Sequence, residues 1–183
     1  MNNLELLHAI VWDFRDEMEG VWPCPNKYDS IRFAVTEAAE AIDADLREDS
    51  RYARNNAKDM SKEMELGQCL LMVLTALGDE LPECAYEKTH VPVGIIDSVL
   101  IFCAEALFLR ATGRLQSSDQ ALLVAAYQIV DILGDAETVL VQVIDKLRKK
   151  HGMTCMYCGE VIALEELNKI KEEFEKIWEE EIE

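Results

Sequence analysis

The sequence predicts an all-α helix bundle. Three observations carry that expectation. Helix formers (Ala, Leu, Glu, Lys) dominate, and apolar residues recur at three- and four-residue spacing through most of the chain. The eight Gly and four Pro fall mostly between those periodic stretches. Half of the 183 residues are hydrophobic, enough to fill a sizeable core without disulfides. Strand-like alternation is confined to a weak stretch around Val91 to Ile96.

Taken in order, Leu4, Leu7, Ile10, Val11 and Phe14 share one face of a first helix from about Asn3 to Gly20, which Trp22-Pro23-Cys24-Pro25 interrupts. A second helix, about Tyr28 to Glu48, places Ile31, Ala34, Val35, Ala38, Ala39, Ile42 and Leu46 inward. Asp49 to Asn56 is polar and reads as a loop. A third helix, about Ala57 to Leu77, turns Met60, Met64, Leu70, Leu71, Leu74 and Leu77 to the core. Pro82 and Pro92 bracket a connection to a fourth helix, about Gly94 to Thr112, with Gly113 placed to end it. Ser117 or Ser118 is the expected cap of a long fifth helix reaching Lys150, with Gly134 the point of disturbance. These helices make a bundle over residues 1–152. Residues 153–183 add a Cys-x-x-Cys turn and a sixth, acidic helix from about Leu164 to Ile182.

A faint internal repeat joins segments 29–80 and 97–148. Asp29-Ser30 and Asp97-Ser98 each open a helix, and the same offset carries Glu37-Ala38 onto Glu105-Ala106. Leu66-Gly67-Gln68 falls on Leu133-Gly134-Asp135 at nearly that offset. Helical sequences from a small alphabet also produce such matches by chance.

Composition narrows function. With 36 acidic and 18 basic residues the formal net charge is −18, which argues against nucleic-acid binding and against anionic membrane surfaces. A phosphorylated small molecule remains compatible if divalent cations stand between the two. No secretory signal opens the sequence, and no apolar run approaches the roughly 18–20 residues of a membrane span. The expected setting is cytoplasmic, with the six cysteines as thiols.

The chemistry lies in carboxylates. Glu37 and Glu40, in Thr36-Glu-Ala-Ala-Glu-Ala-Ile-Asp43, are neighbours on one helical edge beside the small Ala34, Ala38 and Ala41. Glu65 and Gln68, in Glu65-Leu-Gly-Gln68, repeat the spacing on the next helix. Like charges bordering packed faces are costly, and a hard cation with oxygen ligands resolves that conflict. In so acidic a chain Glu-x-x-Glu usually marks a solvated face, as Glu165-Glu166 and Glu172-Glu173 do. The small-residue stripe and the matching pair favour the metal.

In these motifs the sequence resembles the MazG-like branch of the all-α nucleoside triphosphate pyrophosphohydrolases, relatives of the dimeric dUTPases. Thr36-Glu37-Ala-Ala-Glu40 is similar to the first half of the family signature. Glu65-Leu-Gly-Gln68-Cys-Leu-Leu-Met is similar to its second half, with Gln68 standing where the family has Asp. The likeness covers about Asn26 to Leu77. It implies Mg2+ (or Mn2+) held by Glu37, Glu40, Glu65 and Gln68, with a nucleoside triphosphate cleaved to monophosphate and pyrophosphate. One of the three glutamates, or Glu63, is then the general base. Lys27 and Trp22 are candidates for substrate binding, against solvent exposure for the lysine and a packing plug for the tryptophan. A duplicated arrangement would bring Asp135 and Glu105 near the site. The resemblance also implies a homo-oligomer, a dimer or a dimer of dimers.

Gln68 opens an alternative: a weakened or inactive relative that binds nucleotide or a protein partner. A structural adaptor docking through its acidic tail is a third reading. Cys155-x-x-Cys158 resembles half a zinc knuckle, but the expected reading is a turn with two thiols, since a second pair is missing. Cys69, Cys84 and Cys103 are expected to be small buried hydrophobes, and His8 and His90 carry no ligand spacing.

Overall fold

The computed structural model describes residues 3–48, 61–82 and 96–151. Those residues form helices α1 (Asn3–Met18), α2 (Lys27–Glu48), α3 (Lys62–Leu77), α4 (Ile96–Ala111), α5 (Leu115–Leu133) and α6 (Ala136–Lys150). The chain is an all-helical bundle, as the periodicity predicts. It divides into two compact units, Met1–Val143 and Ile144–Glu183. The expected boundary at residue 152 lies outside the described residues. The Cys155/Cys158 turn and the expected tail helix lie outside the described residues.

Local chemistry sets most helix ends. Asn26 caps α2: its Oδ1 accepts from the Asp29 amide at 2.9 Å, and its Nδ2 donates to the Asp29 carboxylate at 2.8 Å. Ser61 caps α3 from an extended backbone, accepting from the Met64 amide at 3.4 Å. That helix therefore starts at Lys62, not near Ala57. Gly113 ends α4 at φ +78°, with the Arg114 amide reaching back to the Leu109 carbonyl at 2.9 Å.

The expected long fifth helix is two. Gly134 adopts φ +67°, and Asp135 accepts from the Thr138 amide at 3.2 Å to start α6. Neither Ser117 nor Ser118 caps α5: Arg114 stands at that position without a side-chain cap. Ser118 is buried instead and donates to the Ala106 carbonyl at 2.9 Å.

Within the first unit α2 packs on α3 and α4 on α5, while α2 also lies against α4 and α3 against α5. The four thus enclose one core. The buried face of α2 is Ser30, Ile31, Ala34, Ala38, Ala41 and Ala44. Val35 and Ile42 are half-buried, and Ala39 and Leu46 face solvent against expectation. The stripe is rotated toward its smallest residues because only methyl groups let α3 and α4 come close together. By contrast α3 is buried almost all round, from Glu65 to Leu77 except Gln68.

The end of α3 is unusual in its polarity. No basic residue lies in its last turn, yet its carbonyls are buried. Side-chain donors from other helices supply the complement. Lys27 Nζ donates to the Leu77 carbonyl at 3.0 Å, and His8 Nε2 donates to the Gly78 carbonyl at 2.7 Å. Arg15, 2 % exposed, donates from Nε to Thr75 Oγ1 at 3.0 Å, and its guanidinium lies 4.7 Å from the Trp22 ring. Burial pushes the Arg15 pKa below its ordinary value, with nearby Cys24 opposing. The negative pole of α3 and the ring faces offset part of that cost.

Candidate metal centre

The α2–α3 seam is in register through two contacts. Cys69 Sγ donates to the Ala34 carbonyl at 3.3 Å, and Lys27 meets Leu77 at the far end. Antiparallel helices in that register bring Glu37 and Glu40 opposite Glu65. One oxygen of each carboxylate lies within 4.8 Å of the others, and no other such acidic, His or Cys group occurs among the described residues. The three are graded in exposure: Glu65 is buried at 4 %, Glu37 is half-buried and Glu40 is exposed.

This donor set fits a hard dication. Ions that bind oxygen at about 2.0–2.6 Å accept carboxylate oxygens roughly 3–5 Å apart, so one ion can share all three. Gln68 adjoins the group, its Nε2 donating to Glu65 Oε2 at 2.9 Å. That bond fixes the Glu65 carboxylate, and it turns the nitrogen of the Gln68 amide, not its oxygen, toward the cluster.

Packing holds the α3 side of the site from behind. A Cβ on Gly67 would lie 2.7 Å from Val139 Cγ1 and 2.9 Å from Val143 Cγ2 of α6. Glycine is required because short branched valines cannot swing away. On the core side Cys69 lies beside Cys103, and that neighbour, burial and the negative charge of Glu37 hold the Cys69 thiol well above its ordinary pKa. Both cysteines are fully buried, as expected of small core residues.

The other expected site residues lie elsewhere. Lys27 is engaged at the C-terminal end of α3, and Trp22 stacks on Arg15. From Lys27 to Glu37 is ten residues of α2, about 15 Å along its axis. Glu63 is exposed in the first turn of α3, outside the acidic group. Asp135 caps α6 and Glu105 is exposed on α4, so neither joins the cluster as a duplication would require. Sequence reasoning missed Arg15, Ser98 and Gln128. Ser98 Oγ donates to Gln128 Oε1 at 3.3 Å, and Gln128 is completely buried. No periodicity distinguishes a buried amide from an exposed one.

Among the described residues no helix is long and apolar enough to cross a membrane. In comparisons with known proteins, no family model, curated protein or solved structure matches the chain.

Proposed function

We propose that this chain is a Mg2+-dependent nucleoside triphosphate pyrophosphohydrolase. The observation that carries the reading is the convergence of Glu37, Glu40 and Glu65 from two helices onto one point. The net charge of −18 adds to it, since an anionic substrate approaches such a surface only with dications between them. Magnesium at this site supplies charge neutralisation for the phosphates and lowers the pKa of a bound water.

The residues divide the work by their exposure. Glu65, buried and fixed by Gln68, anchors the ion from α3, and Glu37 holds it from α2. Glu40 faces solvent, so its carboxylate is placed to take a proton from the attacking water. Release of pyrophosphate from a panel of ribo- and deoxynucleoside triphosphates with Mg2+ tests the assignment. Absence of turnover for every member at high protein concentration rejects it.

A second reading rests on Gln68, whose amide nitrogen occupies Glu65 Oε2. There the chain binds a nucleotide, or a protein partner, without efficient cleavage. Gln68→Asp adds a fourth carboxylate and should tighten dication binding by about tenfold while lowering stability in chelator. If activity arises only in that variant, the second reading stands; robust wild-type activity removes it.

A further inference from the structure

Three aromatic side chains stand open among the described residues: Tyr28, Phe33 and Phe108. An exposed ring is ordinary by itself, since folded chains keep much apolar surface outside. Phe33 differs from the other two in its surroundings. It lines a cavity of about 490 Å³, together with Pro25, Asp29, Thr36 and Leu107 among others. That volume falls within the roughly 300–1,000 Å³ of small-molecule sites. Neither Tyr28 nor Phe108 lines it.

The α2 wall of that cavity runs into the carboxylate site. Asp29, Phe33, Thr36 and Glu40 follow one another at spacings of four, three and four residues, so they form one stripe along the helix. At about 100° per residue, Glu37 and Glu40 stand about 40° and 20° to either side of Phe33 round the axis. Along the axis they lie about 6 Å and about 10.5 Å from it. A single helix carries all of these groups, so its own geometry fixes their order and spacing. The stripe is polar except at Phe33, which keeps 51 % of its surface open. The core makes no claim on that ring: the buried face of α2, centred on Ala34, lies about 100° away.

We propose that Phe33 is the base platform of the carboxylate site: the base of a dication-bound nucleotide stacks on its ring, within the cavity beside α2. The inference rests on the nucleotide reading above. The phosphates belong with the dication at Glu37, Glu40 and Glu65. The sugar of a nucleotide spans a distance comparable to one helical turn, which is the step from Glu37 back to Phe33. Trp22, the ring the sequence offers for this role, is taken by Arg15. Every base has a π face, so a phenyl ring holds purines and pyrimidines alike. Phe33 thus selects for the presence of a base rather than for its identity.

The test uses the full chain with Mg2+, and binding is read by calorimetry. The probes are α,β-imido analogues of a guanine and a uracil nucleoside triphosphate, and inorganic tripolyphosphate, which has the phosphates without a base. Phe33→Ala should weaken both analogues about tenfold or more and leave tripolyphosphate within about twofold of wild type. Phe33→Trp should keep the affinity for the analogues. Its added emission should fall when they bind and hold steady with tripolyphosphate. Unchanged affinity of Phe33→Ala for either analogue overturns the inference and leaves the function standing. An equal loss for analogues and tripolyphosphate does the same, because the ring then supports the metal site and not the base. Wild-type binding of tripolyphosphate without either analogue, or of none of the three, rejects the nucleotide reading and the role of Phe33 with it. If Phe33→Ala does not fold, Phe33→Trp decides, and an emission unmoved by a bound analogue overturns the inference.

Discussion

The two hairpins of the first unit share a plan and differ at their seams. Across α4–α5 the charges are closed: Arg110 and Asp119 pair at 2.6 Å, both largely buried, and Ser118 bonds a backbone carbonyl. Across α2–α3 the charges at the middle of the seam are all of one sign, with Glu37, Glu40 and Glu65 inside a 4.8 Å group. Positive charges stand at its two ends, where Lys62 reaches Asp45 and Glu48 at 2.9 and 3.2 Å and Lys27 reaches the Leu77 carbonyl. On the proposed function the contrast separates scaffold from site. One seam neutralises itself, whereas the surplus of one sign at the other would be met by a counter-ion from outside.

Replacing the surplus should break the contrast most. Glu65→Gln, or Glu37→Gln with Glu40→Gln, should reduce pyrophosphate release by more than the ~10–100-fold typical of losing a metal's outer partners. The same variants should lose the Mg2+-dependent stabilisation, about 2.7 kcal/mol at a hundredfold excess over Kd, measured as a melting shift against chelator. In chelator they should be at least as stable as wild type, because like charges have been removed. An unchanged Mg2+ shift would make the carboxylates ordinary surface groups.

Gly67→Ala comes next. Contact with Val139 and Val143 should cost about 1–2 kcal/mol after the gain in helix propensity, and should weaken Mg2+ binding as well because the same turn carries Glu65 and Gln68. A stabilised variant would show that α6 yields at this point. The smallest effect sharpens the comparison from the other side. Asp119→Asn should lower stability by about 1–2 kcal/mol in urea melts, since the pair keeps some solvent contact, and leave the Mg2+ shift intact.

Much of the bundle was legible because burial and helical period coincide: α1 and α2 start within a residue of expectation, and Gly113 ends α4. The division at Gly134 was only partly legible, because glycine is tolerated inside helices and its positive φ leaves no mark on the apolar period. The grouping of Glu37, Glu40 and Glu65 was legible through their spacing. Lys27 was misleading: a lysine before a helix reads as free to reach a phosphate, yet the buried end of α3 claims it. Gln128 was invisible, since an amide in an apolar helix declares itself only when its burial and its partner on α4 are seen.

The tightness behind Gly67 ties two properties that are usually independent. Glu65 and Gln68 ride on a turn whose far side rests on the methyls of Val139 and Val143 without clearance. On the proposed function, affinity for the ion would then be tuned by the size of two aliphatic residues that do not belong to the carboxylate group. Trimming either valine to alanine would loosen the carboxylate's footing, and enlarging one would tilt it, so on the proposed function drift in that small patch of hydrocarbon would be read out as drift in metal affinity.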